Sequence, residues 1–343
     1  MPPGADRVLS ERELNRALLA RQLLLQRAKL PLARALERLA GIQAQYAPSM
    51  YLGLWTRLAG FRRESLTRAL ELRTVVQATL MRATIHLVSA QDYWPLALST
   101  RDERRAWWTR AARADADVLA ASAERLRKEL AAGPRWRSEL AIRTSPEWNG
   151  VQHFVELVRA PPSGTWERRR ADRYALAEEW LGKPGRHDDP VGHLVRRYLG
   201  GFGPASAGDA ASFAMLPVTT IREALDRVAP RRFRDERGTE LFDLPRAPLP
   251  DADTDAAVRF LPTWDATLLV HARRTQLLPE RHRARVFNTK TPNSVGTFLV
   301  DGQVAGAWRS VGGRIELEPY ERLPRATRAE VEDEAARLAA FQA

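Results

Sequence analysis

The N-terminal part of the chain repeats apolar positions at helical spacing. Ser10 followed by Glu13 predicts a capping box at the start of a first helix, and Pro31 predicts the first turn of a second. Gly41 is expected to end this second helix as its C′ residue. A third helix and two β-type runs joined by a short turn are predicted at 63–72, 74–80 and 84–88. Three helices followed by a hairpin are typical of a winged helix, an elaborated helix-turn-helix.

Two later stretches show a similar order of elements. A long helical region at 90–132 is expected to break near Ser99 and to end at Gly133-Pro134. The next group holds predicted helices at 137–142 and 150–158 and a basic, wing-like segment at 165–170. The last group holds predicted helices at 193–199, 210–216 and 219–228, the third of the recognition type. Only this order of elements, and no close sequence repeat, supports three units of one type.

From about residue 251 the pattern changes to period-two runs. Short β-type runs are predicted at 257–261, 285–287, 295–300, 303–309 and 313–317, before a closing helix at 327–340. Asp301-Gly302 lies between two of these runs and predicts a type I′ hairpin turn. The sequence therefore predicts a C-terminal β unit.

The charge balance favours a polyanionic partner. The 343-residue chain carries 54 basic and 42 acidic residues, a net charge of +12, and all but four of the basic residues are arginine. Nucleic acid is the usual partner of such a surface, although arginine-rich coding in a GC-rich genome also explains the ratio of arginine to lysine. Cysteine is absent, and the six histidines show no metal-ligand spacing, so neither a metal nor another cofactor is expected. No apolar run has the length of a membrane span or forms a signal core, so a cytoplasmic protein is expected. It is expected to be nucleoid-associated and a monomer, although the sequence leaves the oligomeric state open.

Gln43 and Gln45 lie two residues apart, just beyond the second predicted helix. In extended backbone, residues i and i+2 lie on one face, whereas in a helix they point about 200° apart. Because Gly41 ends the helix and Pro48 disfavours an immediate restart, the two carboxamides are expected to lie together at a surface crevice. The alternative is that they are two polar residues of an ordinary loop.

Five segments along the chain share the order and the residues of a known family. The segments are Gly41-Ile42-Gln43-Ala44-Gln45, 80–88, Phe202-Gly203-Pro204-Ala205 with Asp209, 260–265 and 300–309. Together they resemble the AlkZ/YcaQ family of winged-helix DNA glycosylases. The resemblance runs over nearly the whole chain and implies tandem winged helices with a small C-terminal β-barrel-like unit. The Gln-x-Gln form is similar to the branch that unhooks bulky adducts and crosslinks.

The predicted fold is mostly α with β wings, in four units. Winged-helix units are placed at 1–112, 113–188 and 189–250, and the C-terminal β-rich unit at 251–343. The resemblance assigns catalysis to Gln43 and Gln45 and implies excision of cationic, N7- or N3-alkylated purines from double-stranded DNA. Glutamine accepts and donates hydrogen bonds but is not a base near neutral pH. That suits a leaving base that already carries a positive charge and needs no proton.

Other side chains are candidates for chemistry or for DNA contact. Three carboxylates, Asp92, Asp209 and Asp265, compete for the catalytic role, although a helix cap explains Asp92 and structural hydrogen bonding explains Asp265. His86, between Ile85 and Leu87 on a predicted wing strand, is expected to face solvent or DNA, or else to be structural. The expected DNA contacts are Arg82, His86, Arg168, Arg169, His271, Arg273 and Arg274. Arg82 is expected at the exposed tip of the 74–88 hairpin, where a wing would meet the DNA backbone or a groove.

The function predicted from these features is that of a monofunctional glycosylase that leaves an abasic site. A glycosylase that also cuts the strand usually forms a Schiff base through an amine, and none of the four lysines falls in the segments quoted above. Two alternatives remain open at this point: a winged-helix transcription regulator without chemistry, and a protein that binds lesions without excising them.

Overall fold

The first half of the chain folds mainly into helices. The structure is a computed structural model and describes residues 7–142, 144–272, 275–287 and 295–343. The elements up to residue 130 are β1 (Arg7–Leu9), α1 (Glu11–Arg21), α2 (Leu32–Leu39), β2 (Ile42–Gln43), α3 (Ala47–Arg57), α4 (Arg63–Glu71), β3 (Val75–Thr79), β4 (Ile85–Ser89), α5 (Ala90–Ala112) and α6 (Ala116–Leu130).

The predicted capping box is confirmed at the start of α1. The Ser10 side chain accepts from the backbone N–H of Glu13, and the Glu13 carboxylate accepts from the backbone N–H of Ser10. One helix start was predicted wrongly: α3 begins at Ala47, directly after the glutamine pair, with Pro48 in its first turn. Proline is tolerated there because the first N–H groups of a helix have no partner within it. The expected break near Ser99 is also wrong, since α5 runs on to residue 112.

The middle of the chain continues the helices and adds two short hairpins. Its elements are β5 (Arg135–Trp136), α7 (Ser145–Val151), β6 (Leu157–Arg159), β7 (Arg173–Leu176), α8 (Ala177–Leu181), α9 (Pro190–Phe202), α10 (Ala207–Ala214), α11 (Val218–Val228), β8 (Arg231–Asp235) and β9 (Glu240–Asp243). The helix predicted at 150–158 is wrong, because α7 ends at residue 151 and 157–159 form a strand. The expected wing-like segment at 165–170 lies in the connection between β6 and β7.

The C-terminal unit is an open sheet with a closing helix. Its elements are β10 (Arg259–Leu261), α12 (Arg283–Val286), β11 (Gly296–Val300), β12 (Gln303–Val311), β13 (Arg314–Pro319) and α13 (Arg325–Gln342). The four strands pair antiparallel in the order β10-β11-β12-β13 and do not close into a barrel within the described residues, which corrects the barrel-like prediction. The predicted turn is confirmed, since Asp301 (φ 46°) and Gly302 (φ 78°) both have positive φ. The strand predicted at 285–287 is wrong, because α12 covers most of it.

Two sheets join segments that are far apart in sequence. The first has the strand order β2-β4-β3-β6-β7-β5, so it continues across the predicted unit boundary at residue 112. The second has the order β1-β8-β9 and pairs residues 7–9 in parallel with 233–235. A core of buried side chains from Leu18, Val76, Val158 and Tyr198 fills the space between these segments. No helix in the described part of the chain is long and apolar enough to cross a membrane.

Candidate active site

The segment that carries the two glutamines begins with the edge strand β2, which pairs with β4. Gly41 (φ +80°) turns the chain out of α2, and a Cβ on this residue would stand 2.9 Å from Val88 Cγ1. Gln43 is then the register partner of His86, and the N–H of Ala44 donates to the carbonyl of Ile85 at 2.7 Å. The strand β2 covers Ile42 and Gln43, whereas Gln45 and Tyr46 lie in a bend before α3, so the extended conformation expected for this segment is observed only in its first part.

Both carboxamides are bound to the same part of the β3–β4 hairpin. The Oε1 of Gln43 accepts from Nη2 of Arg82 at 2.8 Å, and the Oε1 of Gln45 accepts from the backbone N–H of Ile85 at 3.1 Å. Gln43 is 5% exposed, whereas Gln45 is exposed. The pair thus consists of one buried and one exposed carboxamide, each with its oxygen oriented by a donor from the same hairpin.

Arg82 lies inside the hairpin turn, and this corrects its expected place at an exposed wing tip. Arg82 (φ 53°) and Ala83 (φ 51°) both adopt left-handed backbone, which sends the guanidinium back toward Gln43. The guanidinium also lies over the Phe213 ring, 5.1 Å from its centroid. Burial lowers the pKa of Arg82 to about 10, so the side chain stays charged at neutral pH.

His86 is buried, so the expectation that it faces solvent or DNA is wrong. It is 2% exposed, and its ring packs edge-on against Phe213. Nδ1 lies 3.1 Å from the carbonyl of Thr84, and Nε2 lies 3.5 Å from Nη2 of Arg82. Burial, together with the charge of Arg82, lowers the pKa of His86 to about 3. The neutral ring then donates through Nδ1 and presents the Nε2 lone pair to Arg82, a tautomer assigned from this network.

An open cleft of about 660 Å³ begins at the residue after Gln45. Tyr46 is 45% exposed, and its hydroxyl lies 3.3 Å from Nη1 of Arg169. Across the cleft, Nε1 of Trp308 donates to the carbonyl of Leu261 at 2.9 Å, which fixes the indole to the C-terminal sheet. The cleft is walled by Tyr46, Trp166 and Arg169 on one side and by Thr263, Trp308 and Arg309 on the other.

Sequence reasoning missed most of these cleft residues. Thr263, Trp308 and Arg309 belong to two segments of the family resemblance, but nothing local in the sequence connects them to Gln45. The connection is tertiary: Ser49 in α3 shares a hydrogen bond of 2.9 Å with Thr263. The order of the resembling segments was the available signal, because these segments converge on the cleft.

The two arginines predicted on the second wing are both exposed. Arg169 reaches Tyr46 at the rim of the cleft. Arg168 lies 3.8 Å from the Trp136 ring centroid, which holds its side chain along the surface. Their exposure is compatible with phosphate contact.

The third predicted basic group is only partly described. His271 is 6% exposed, and its Nδ1 faces a carboxylate oxygen of Asp209 at 3.8 Å. It therefore lacks the open surface that a phosphate contact needs. Arg273 and Arg274 lie outside the described residues.

Each of the three candidate carboxylates is paired with a basic side chain. Burial alone would raise the pKa of Asp209, but hydrogen bonds and charge, chiefly from His271, hold it below its ordinary value. Asp92 is 2% exposed and binds His193 at 2.9 Å and Arg197 at 2.8 Å. Asp265 is buried in a bidentate pair with Arg57. These contacts favour structural roles for the carboxylates.

Comparison with known proteins finds similar sequences and a similar fold over most of the chain. The model of the family described as DNA glycosylase AlkZ-like matches residues 36–341, which include the glutamine pair and the later resembling segments. An interstrand DNA cross-link repair glycosylase of Streptomyces sahachiroi is 24% identical over 331 residues, covering 88% of each chain. The solved structure of the Streptomyces sahachiroi DNA glycosylase AlkZ matches with a TM-score of 0.79 and 21% identity, over 98% of this chain and 97% of that one. The structural match shows a shared fold over almost the whole chain.

Proposed function

Because this chain belongs to the DNA glycosylase AlkZ-like family, we propose that it excises N7- or N3-alkylated purines from double-stranded DNA, with Gln43 and Gln45 as its catalytic residues. The observation that carries the proposal is the pair of carboxamides held by one hairpin, in the segment that leads into an open cleft at Tyr46. A regulator would need no such pair, so the non-catalytic alternative is not favoured.

The chemistry follows from what a carboxamide can do. An alkylated purine is already cationic, so its bond to C1′ breaks with the electron pair going to the base, which leaves neutral. The sugar becomes an oxocarbenium-like cation, as in glycoside hydrolysis. Water then forms the new bond to C1′ and loses its proton to solvent. Each glutamine oxygen has a second lone pair beside the hydrogen bond seen here, and these can hold that water and stabilise the cation.

The cleft supports a substrate larger than a methylated base. Its volume of about 660 Å³ falls within the range of sites that enclose drug-sized ligands. Aromatic walls from Tyr46, Trp166 and Trp308 would pack against an extended adduct. The relative from Streptomyces sahachiroi is named for interstrand cross-link repair. We therefore extend the proposal to bulky adducts and crosslinks, handled in the open cleft rather than in a closed base-flipping pocket.

DNA would reach the cleft from the side of the exposed arginines. Arg169 lies at its rim, Arg168 is the exposed neighbour of Arg169 in the sequence, and the chain as a whole carries a net charge of +12. The proposed binding elements are the tandem winged-helix units, acting as one monomer on the duplex.

The proposed enzyme leaves an abasic site and does not cut the strand. Lys29, Lys128 and Lys183 are absent from the cleft lining, and Lys290 lies outside the described residues, so no lysine that the structure describes is placed to attack C1′. Borohydride reduction should therefore trap no covalent protein–DNA adduct. A trapped adduct would contradict this part of the proposal.

The decisive experiment measures free base released from duplex DNA that carries 7-methylguanine. Wild type is compared with Gln43→Ala and Gln45→Ala, and Gln303→Ala serves as the control for loss of an exposed glutamine remote from the cleft. Removing one electrostatic stabiliser of a transition state typically lowers the rate by about 10²–10³-fold. The single variants should lose base release by this factor while DNA binding changes less than about threefold.

Two results would contradict the proposal. The first is the absence of base release by wild type from 7-methylguanine DNA, from a bulky N7 adduct and from a crosslinked duplex. The second is base release by both glutamine variants at the rate of Gln303→Ala. Protection of one defined sequence with no preference for damaged DNA would then support a regulator.

A further inference from the structure

We infer that Arg82 is a positioning residue that orients the Gln43 carboxamide for catalysis. The inference rests on the proposed function and assigns Arg82 a role other than DNA contact. Its basis is the 2.8 Å hydrogen bond from Nη2 of Arg82 to Oε1 of Gln43, made at a partly buried position. The guanidinium therefore contacts one member of the proposed catalytic pair directly.

A carboxamide needs such a partner because its two ends have nearly the same shape. Rotation by 180° exchanges an acceptor for a donor and would turn an N–H₂ group toward the cationic sugar. A guanidinium has only donors, so it selects the oxygen of Gln43 and leaves one end of the amide chemically defined. Since Gln43 is 5% exposed, this charge-assisted bond lies in a low-dielectric setting where it is stronger than in water.

The surroundings of Arg82 are costly for a purely structural arginine. Both of its polar partners described here, Gln43 and His86, are neutral, so the buried charge gains no carboxylate contact from them. The backbone at Arg82 and Ala83 is left-handed, which disfavours residues with a side chain. An apolar residue in an ordinary turn would avoid both penalties. Their coincidence next to the proposed catalytic pair indicates a functional constraint.

The charge itself is not the useful property in this role. A cation near the sugar opposes an oxocarbenium-like transition state, whereas the hydrogen bond that Arg82 donates fixes the Gln43 amide. His86 supports the arrangement, because its neutral Nε2 accepts from Arg82 while Nδ1 donates to the carbonyl of Thr84. Arg82 is thus held between a fixed histidine and the amide that it orients.

The test is a double-substitution cycle on single-turnover release of 7-methylguanine. Arg82→Met should lower the rate about 10- to 100-fold, the scale expected for a misoriented catalytic group, with the DNA dissociation constant within about threefold of wild type. In a Gln43→Ala background, Arg82→Met should have no further effect, because the group it orients is gone. Arg82→Lys, which keeps one donor near Gln43, should recover part of the rate.

Arg159→Met is the matched control. Arg159 is also a buried arginine, 5% exposed, whose pKa burial lowers, and it binds Thr79 in the same sheet without contacting Gln43. Its substitution should lower stability but leave the excision rate of the folded protein within about threefold of wild type. If Arg82→Met does not fold, Arg82→Gln and Arg82→Lys enter the same cycle.

The outcomes separate this inference from the proposed function. Failure of wild type to release any base would overturn the proposed function and with it this inference. A wild type that is active, is inactivated by Gln43→Ala and is unaffected by Arg82→Met would overturn the inference alone. Rate losses that multiply in the double variant, or a loss confined to DNA affinity, would also refute it, the latter in favour of a phosphate contact.

Discussion

Loss of the Asp265 carboxylate is expected to destabilise the protein without a large change in the rate of base release. Asp265 and Arg57 form a bidentate pair at 2.8 and 2.9 Å, and both side chains are at most 3% exposed. Asp265 also accepts from the backbone N–H of Thr267 at 3.1 Å. The pair joins α3, which starts beside the glutamine pair, to the segment that supplies Thr263 to the cleft.

The size of the effect follows from burial. Removing one partner of a buried ion pair leaves the other charge without compensation and typically costs about 3–5 kcal/mol. Asp265→Ala should lower the free energy of unfolding by this amount. Glu332→Gln is the control, because its pair with Arg328 on α13 is exposed on both sides and is worth about 0.5 kcal/mol or less.

The pH dependence gives a second signature. Burial would raise the pKa of Asp265, but the charge and hydrogen bonds of Arg57 outweigh it and lower the pKa. A depressed carboxyl pKa stabilises the fold above the unfolded-state value near 3.8, and the contribution is lost as pH falls through the folded value. The acid limb of the stability curve should therefore be shallower in Asp265→Asn than in wild type.

The assay combines urea unfolding with base release measured where each variant is fully folded. Because Asp265 is tied to Arg57 and not to the glutamine pair, the release rate should stay within a few-fold of wild type. Near-normal stability with a loss of more than about 100-fold in release would refute this reasoning and would make Asp265 the catalytic carboxylate.

Three further predictions concern the cleft and the hairpin. A protein that keeps a histidine neutral by burial loses about 1.4 kcal/mol of folding stability for each pH unit below 6.5. His86→Gln should therefore reduce the stability lost between pH 7 and pH 5 by about 2 kcal/mol, measured by urea unfolding. Because burial lowers the pKa of His153 to about 4, this second histidine should leave a residual dependence of stability on pH. Tyr46→Ala should slow release of a bulky N7 adduct at least about fivefold more than release of 7-methylguanine, and equal effects on the two lesions would count against an adduct-binding wall. Arg169→Ala should weaken duplex binding at every sequence and reduce the slope of log Kd against log salt by about one, whereas an unchanged slope would exclude a phosphate contact.

Features fixed by neighbouring residues were predictable from the sequence. The capping box at Ser10 and the turn at Asp301-Gly302 depend on contacts within a few residues, and both are observed. The sequence does not predict the start of the helix at residues 47–57, because Pro48 disfavours helical backbone in the residue before it. Proline is nevertheless tolerated in the first turn, where it removes no intrahelical hydrogen bond. The strand at 157–159 was missed because a short apolar run fits either a strand or a buried helix end.

Contacts between distant segments carried no local signal. Alternation correctly set His86 apart from its two neighbours but could not say that Phe213, far along the chain, would cover its face. The joining of the two central hairpins into one sheet depends on the pairing of Gln77 with Arg159, which no local pattern specifies. For the same reason the sequence predicts Arg82 at an exposed tip, because its contacts with Gln43 and Phe213 join segments that are far apart in the chain.

The proposed catalytic pair is consequently a product of strand register. Gln43 stands opposite His86 because the N–H of Ala44 bonds the carbonyl of Ile85, and only this register places Gln43 in reach of Arg82. A slip of one residue would turn the Gln43 side chain to the other face of the sheet. Gly41 stabilises the observed register, since a side chain there would collide with Val88 on the paired strand. The proposed catalytic role of the two glutamines therefore depends on the sheet edge that holds them, and the physical basis of the proposed chemistry lies as much in this strand pairing as in the amides themselves.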